Sequence, residues 1–259
     1  MDWKNIDIEI PGELFTSNDA EINFELLSNK TIIGLCGYGR CGKDTLGREM
    51  VNKLGFKRIS FADTLKEKMN EHMKQQVFEY LINKEVDIQF DDVDFLNPKT
   101  IEIKELLRIF MVFFGETLKQ KNGLHHWTNQ AIEKIGDANK VVITDVRRYN
   151  ELDLFKYNRE QFSKKIQHME MAEMYEESLF MKHSETKCDF NSLLFHVNQL
   201  GLEDSDQLTK DTILLAYQNF LFDDVVNIDS RIPDKNNYRE KYIYRHLKDL
   251  TIKFPDYFI

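Results

Sequence analysis

Two kinds of apolar pattern alternate along the chain. Short, nearly continuous runs at Thr31-Ile32-Ile33-Gly34-Leu35-Cys36 and Lys140-Val141-Val142-Ile143-Thr144-Asp145 read as strands in the form of a parallel strand buried on both faces, and the more broken Phe56-Lys57-Arg58-Ile59-Ser60-Phe61 reads as another. Between them the spacing turns helical. Leu46, Met50, Val51 and Leu54 mark a helix over 43–54, and a second opens at Ala62-Asp63-Thr64-Leu65-Lys66 and runs towards Ile82. Further helices are read over 102–120 and 125–136. Strand, helix, strand in that order predicts an α/β fold of three layers around a central parallel sheet, with ligands at the carboxyl ends of the strands.

The remainder is less regular. Val146-Arg147-Arg148-Tyr149-Asn150-Glu151 opens another helix, 164–169 reads as a strand, and 170–222 reads as mostly helical and polar, with the form of a lid or insertion. A last strand is expected at 224–229 and a last helix at 236–250. Residues 1–30, polar and acidic and broken at Pro11-Gly12, read as an appendage ahead of one domain spanning 31–259. Asp91, Asp92 and Asp94 lie in an acidic stretch without the central glycine and terminal glutamate of a calcium loop, so they read as solvated.

Composition narrows the function. A length of 259 residues with 42% hydrophobic and 31% charged side chains suits a folded domain with a sizeable core rather than a disordered chain. The net charge of −9 disfavours a partner held through a nucleic-acid backbone, which takes many Lys and Arg contacts. No apolar run approaches the roughly 20 residues that span a bilayer. The segment MDWKNIDIEI lacks the basic and apolar regions of a signal peptide, so the expected address is the cytoplasm, the host's if the chain is viral. Cys36, Cys41 and Cys188 have no paired spacing and suggest neither a disulfide framework nor zinc.

The candidate chemistry begins at Gly37-Tyr38-Gly39-Arg40-Cys41-Gly42-Lys43-Asp44-Thr45, which has the pattern G-x-x-x-x-G-K between a strand and a helix. Glycines let backbone N–H groups curl around phosphate oxygens, the following helix adds its positive end, and the lysine brings a mobile point charge. A nucleoside triphosphate is the expected ligand. Where many such loops place a metal-binding hydroxyl stands Asp44, with the hydroxyl one place later at Thr45, and these two are the candidate Mg²⁺ ligands. Asp145 ends its strand as a carboxylate at the ligand edge. Arg147 and Arg148 just beyond have forked guanidinium groups suited to phosphate.

Taken in order, GYGRCGKDT at 37–45, ISFADTLKE at 59–67, Arg108 ahead of Gly115, Trp127, VVITDVRRYNE at 141–151 and HSE at 183–185 resemble the phage deoxynucleoside monophosphate kinases, within the P-loop nucleoside monophosphate kinases. The resemblance implies a P-loop kinase fold with helical acceptor-binding and lid regions, and transfer of the γ-phosphoryl group of ATP to a (deoxy)nucleoside monophosphate with Mg²⁺. It implies that Gly37, Gly39, Gly42, Lys43 and Thr45 hold ATP phosphates and that Asp44 orients Mg²⁺ or the acceptor phosphate. Arg40 and Arg147 or Arg148 would stabilise charge on the transferring group. Asp63, Lys66, Arg108, Trp127, Asp145 and Glu151 are its candidates for the acceptor side. Family members often carry glutamine four residues after the helix arginine; Val112 stands there in this chain, which leaves the acceptor base open. Phosphomevalonate, a hydroxymethylated pyrimidine within DNA, or a non-catalytic nucleotide-binding role are the alternatives. The partner expected is a small nucleotide, with no membrane, and the sequence leaves room for a homodimer.

Overall fold

The computed structural model describes residues 5–16, 21–39, 41–157, 190–200, 207–219, 221–229 and 238–258. Five strands, β1 (Thr31–Cys36), β2 (Lys57–Ile59), β3 (Lys140–Val146), β4 (Asn191–Leu200) and β5 (Asp224–Asp229), form one sheet in the order β2-β3-β1-β4-β5. Every neighbouring pair is parallel. Parallel strands need crossover connections. The helices are α1 (Lys43–Leu54) between β1 and β2, α2 (Phe61–His72), α3 (Lys74–Asn83), α4 (Ile101–Asn122) and α5 (His126–Glu133) between β2 and β3, α6 (Gln207–Gln218) between β4 and β5, and α7 (Tyr238–Lys253) and the short α8 (Pro255–Phe258) after the last strand. The α/β architecture with a central parallel sheet is the one the apolar pattern predicts.

The chain divides into two compact units. The first comprises 1–22 and 60–131, and its core joins α2, α3 and α4 through Met69, Met73, Val77, Leu81, Leu107, Phe110, Phe114 and Leu118. Ile6 and Ile10 are buried in the same cluster. Ser60 starts α2 by accepting the amide of Asp63 on its hydroxyl, and Thr100 starts α4 by accepting that of Ile103. The helix expected to run unbroken towards Ile82 is divided at Met73 into α2 and α3.

The second unit comprises 23–59 and 132–259 and holds the whole sheet. Ile33 and Leu35 of β1, Val142 of β3, Phe195 and Val197 of β4 and Ile228 of β5 pack with Leu46 and Met50 of α1 and Ile243 and Leu247 of α7. β1 lies at the centre, where the strand order turns back, and a sheet of this kind binds ligands at such a point.

β4 corrects the helical reading of 170–222 over 191–200, while α6 agrees with it over 207–218. Leu193-Leu194-Phe195 and Val197 are a buried apolar run of the parallel-strand type, although polar Asn191, Ser192, Asn198 and Gln199 frame it. The expected strand at 164–169, His183-Ser184-Glu185 and Cys188 lie outside the described residues, as does Arg40. Among the described residues no helix is long and apolar enough to cross a membrane.

Candidate functional site

The loop between β1 and α1 is shaped by its glycines. Gly42 precedes α1 at φ +101°, a conformation L side chains rarely adopt, and a Cβ there would lie 2.6 Å from Ile228 Cδ1 of β5. A Cβ at Gly37 would lie 2.2 Å from the carbonyl oxygen of Val197. The loop is therefore seated on β4 and β5, and only a bare backbone fits. As at any helix start, the first amides of α1 have no carbonyl of their own helix to bond, and they point to the loop with the positive end of the dipole.

Lys43 opens α1 and is 3% exposed. Its ammonium donates to the carbonyl oxygen of Gly37 at 2.7 Å, to that of Tyr38, and to Cys41 Sγ at 3.4 Å. No carboxylate pairs with it among the described residues. A buried cation held only by neutral groups calls for an anion. Cys41 packs inside the loop, fully buried, and burial pushes the Cys36 thiol up to about 12, which leaves it protonated.

Asp44, in the first turn of α1, points outward with a side chain 71% exposed, and its Oδ1 lies 3.4 Å from the Arg58 guanidinium of β2. Arg58 stands one residue ahead of the ISFADTLKE motif, so the motif does not mark it. Thr45 follows, half-buried. Among the described residues no cluster of three or more His, Cys, Asp or Glu could hold a metal. Asp44 and Thr45 offer one carboxylate and one hydroxyl, a donor set that fits a hard cation completing its shell with phosphate oxygens and water.

At the carboxyl end of β3 the register gains a residue. Gly34 pairs with Ile143 but Cys36 pairs with Val146, so β3 is bulged next to Asp145. Beyond it the chain turns sharply. Glu151 Oε2 accepts the backbone N–H groups of Arg147 at 2.6 Å and Arg148 at 2.9 Å. Burial pushes the Glu151 carboxyl up to about 8, Asp145 adds to the rise, and those two N–H groups and the Arg148 charge oppose it. Thr212 of α6 donates its hydroxyl to the Arg147 carbonyl oxygen at 2.7 Å. The Arg147 backbone is thus held from both sides, and its side-chain Nε is buried without a hydrogen-bond partner. Glu151, expected on the acceptor side, spends one oxygen on the arginine turn.

The remaining acceptor candidates belong to the other unit. Asp63 and Lys66 form an ion pair at 3.0 Å on the first turns of α2. Arg108 stands on α4 with its side chain 59% exposed, 3.8 Å from Glu105. Trp127 donates its indole N–H to the Gly115 carbonyl oxygen at 3.0 Å and, half-buried, packs against Phe114 and His126 at the edge of the core. The structure gathers the loop, Asp145, Arg147, Arg148 and Glu151 in one unit and Asp63, Lys66, Arg108 and Trp127 in the other.

No protein-family model and no curated protein matches the chain. Among solved structures it is similar to a shikimate kinase from Bacteroides thetaiotaomicron, at 13% identity over 85% of this chain and 98% of that one, with a TM-score of 0.36. It is also similar to a dephospho-CoA kinase from Campylobacter jejuni, at 16% identity over 86% and 98%, with a TM-score of 0.33. A sugar kinase from Janibacter follows at 12% identity over 89% and 98%, with a TM-score of 0.30. Likenesses of this size leave the fold to the strand order and the chemistry to the residues.

Proposed function

We propose that the chain is a phosphotransferase that moves the γ-phosphoryl group of ATP to a (deoxy)nucleoside monophosphate, yielding ADP and the diphosphate. The observation that carries the reading is Lys43, a buried ammonium in a glycine loop with no carboxylate to neutralise it among the described residues. Arg147 supports it, since a half-buried guanidinium with an unpartnered Nε, on a backbone fixed by Glu151 and Thr212, suits a phosphate. The motifs shared with phage deoxynucleoside monophosphate kinases supply the acceptor class.

On this reading the amides of the loop and of the first turn of α1 hold the ATP phosphates, and Lys43 leaves the Gly37 and Tyr38 carbonyls for the β- and γ-oxygens. Asp44 and Thr45 would hold Mg²⁺, which when bound neutralises charge between those oxygens. Arg147, with Arg148 as the alternative, and Arg40 meet the charge that develops on the transferring group. Arg108 grips the acceptor phosphate, with Asp63, Lys66, Trp127 and Asp145 on the acceptor side. The acceptor phosphate is already nucleophilic, so positioning and positive charge serve the reaction more than a general base does.

A screen of ATP consumption against the common nucleoside monophosphates, phosphomevalonate and hydroxymethylated DNA tests the proposal. Turnover with one or a few monophosphates is the expected result. Turnover with another acceptor alone would move the chain to a different kinase class, and ATP binding without turnover would leave a nucleotide-dependent interaction protein.

A further inference from the structure

β4 brings a buried histidine to the floor of the glycine loop. His196 pairs across the sheet with Cys36, the last residue of β1, and the residue after it, Val197, sets its carbonyl against Gly37. His196 is 7% exposed, its imidazole stacked on Phe222 at 5.2 Å between centroids and met edge-on by Tyr217. Its Nδ1 lies 2.6 Å from the Tyr217 hydroxyl, and its Nε2 is buried with no hydrogen-bond partner. An unpaired buried nitrogen costs free energy unless something comes to meet it.

The surroundings say what that is. Burial, with Lys43 adding to it, holds the His196 imidazole down to about 4, so the ring is neutral at ordinary pH. Burial raises the Tyr217 hydroxyl, with Cys36 adding to it, and it too stays protonated. Among the described residues Lys43, which bonds the carbonyl of the Gly37 that β4 abuts, is the cation whose charge reaches the ring. A neutral imidazole beside a cation is stabilised when it turns a lone pair, rather than an N–H, towards the charge. That arrangement puts the proton on Nδ1, donating to Tyr217, and leaves Nε2 bare.

We propose that His196 is a positioning residue for Lys43: Nε2 accepts one N–H of the ammonium once a nucleotide draws Lys43 off the Gly37 and Tyr38 carbonyls. An ammonium has three donors, so this contact leaves two for phosphate and fixes their direction. The inference rests on the nucleotide-binding reading of the loop and adds to it a residue from a strand outside the motif.

The test is ¹⁵N NMR of the full chain with labelled histidine, titrated with ADP while the amide signals of Gly37 and Gly42 are followed in the same tube. Before ADP, Nδ1 of His196 is expected to carry the proton and Nε2 to be bare; with ADP, Nε2 should shift as it gains a hydrogen bond, and in Lys43→Met it should stay still. A proton found on Nε2, or an Nε2 signal unmoved while the glycine amides respond, overturns the inference and spares the nucleotide site. Glycine amides that ignore ADP overturn both. Two variants separate positioning from packing: His196→Phe, which fills the space without an acceptor, should lower kcat about tenfold with little change in the ATP KM, and His196→Gln, which restores an acceptor, should recover most of it. Equal losses in the two would mean a packing role and contradict the inference.

Discussion

Lys43 Nζ lies 2.7 Å from the carbonyl oxygen of Gly37, so the lysine is held by the loop it follows. The contact keeps a buried ammonium solvated by protein until an anion replaces the carbonyls. Lys43→Met should lower phosphoryl transfer by about 10³-fold or more, the scale on which single charge stabilisers act in such reactions. Circular dichroism should show the fold unchanged, since the methionine keeps the stem in place. Near-normal turnover by the folded variant would contradict the assignment of the loop.

The two adjacent arginines should differ. Arg147 has its amide on Glu151, its carbonyl on Thr212 and its Nε buried, whereas Arg148 contributes its amide to the same carboxylate and its charge lies near Glu151. Arg147→Ala is expected to reduce kcat by about 10²-fold or more and Arg148→Ala by under about tenfold. Steady-state kinetics on the two single variants checks this, and equal, mild effects would remove the phosphate-clamping role.

Glu151 makes stability depend on pH with a definite sign. Its carboxyl titrates at about 8 in the folded chain against an ordinary 4.5, so between those values the unfolded chain holds fewer protons and stability falls as pH rises. His196 acts oppositely: with its folded value lowered to about 4 from 6.5, it costs stability as pH falls through that window. Denaturation midpoints of Glu151→Gln, which keeps an oxygen for the Arg147 and Arg148 amides, should lose the decline between about pH 4.5 and 8 relative to the parent. An unchanged pH profile would mean that the carboxyl is not held protonated.

The loop glycines are not interchangeable with alanine, and the cost should follow geometry. Gly37→Ala drives a Cβ to 2.2 Å from the Val197 carbonyl oxygen and should destabilise by roughly 1–3 kcal/mol while weakening nucleotide binding. Gly55, which ends α1 at φ +72° in open space, is the control: alanine there strains the backbone alone and should leave nucleotide affinity intact. Chemical denaturation and ADP titration of both variants separate the two effects.

The loop was legible in the sequence because its chemistry sits in nine consecutive residues bracketed by a buried strand and a helix whose periods are plain. Asp145, Arg147 and Arg148 were legible for the same reason. β4 was not, because its apolar centre is short and framed by asparagine, serine and glutamine, and a parallel strand announces itself only by burial on both faces. With β4 went His196, an isolated histidine in an apolar run. Thr212 and Arg58 act through contacts 65 and 14 residues away in the chain, which no local pattern encodes. Glu151 was visible as a charge near the arginines, but not as a carboxylate turned onto their amides.

Arg108 carries the acceptor side of the account. Its guanidinium is exposed on α4 and only loosely paired with Glu105 at 3.8 Å, a surface contact that costs little to break. Arg108→Lys keeps the charge and loses the fork, so it should raise the acceptor KM much more than the ATP KM. A rise in the ATP KM alone would take Arg108 out of the acceptor site.

The central claim is that the γ-phosphoryl group of ATP passes to a nucleoside monophosphate. Phosphorus NMR of ATP, Mg²⁺ and the acceptor found in the screen, with wild type and Lys43→Met in parallel, follows that group directly. The account predicts that ADP and the nucleoside diphosphate grow in equal amounts with wild type and barely at all with the variant. ATP consumption that ends in inorganic phosphate, or a diphosphate that forms equally well with Lys43→Met, would contradict it.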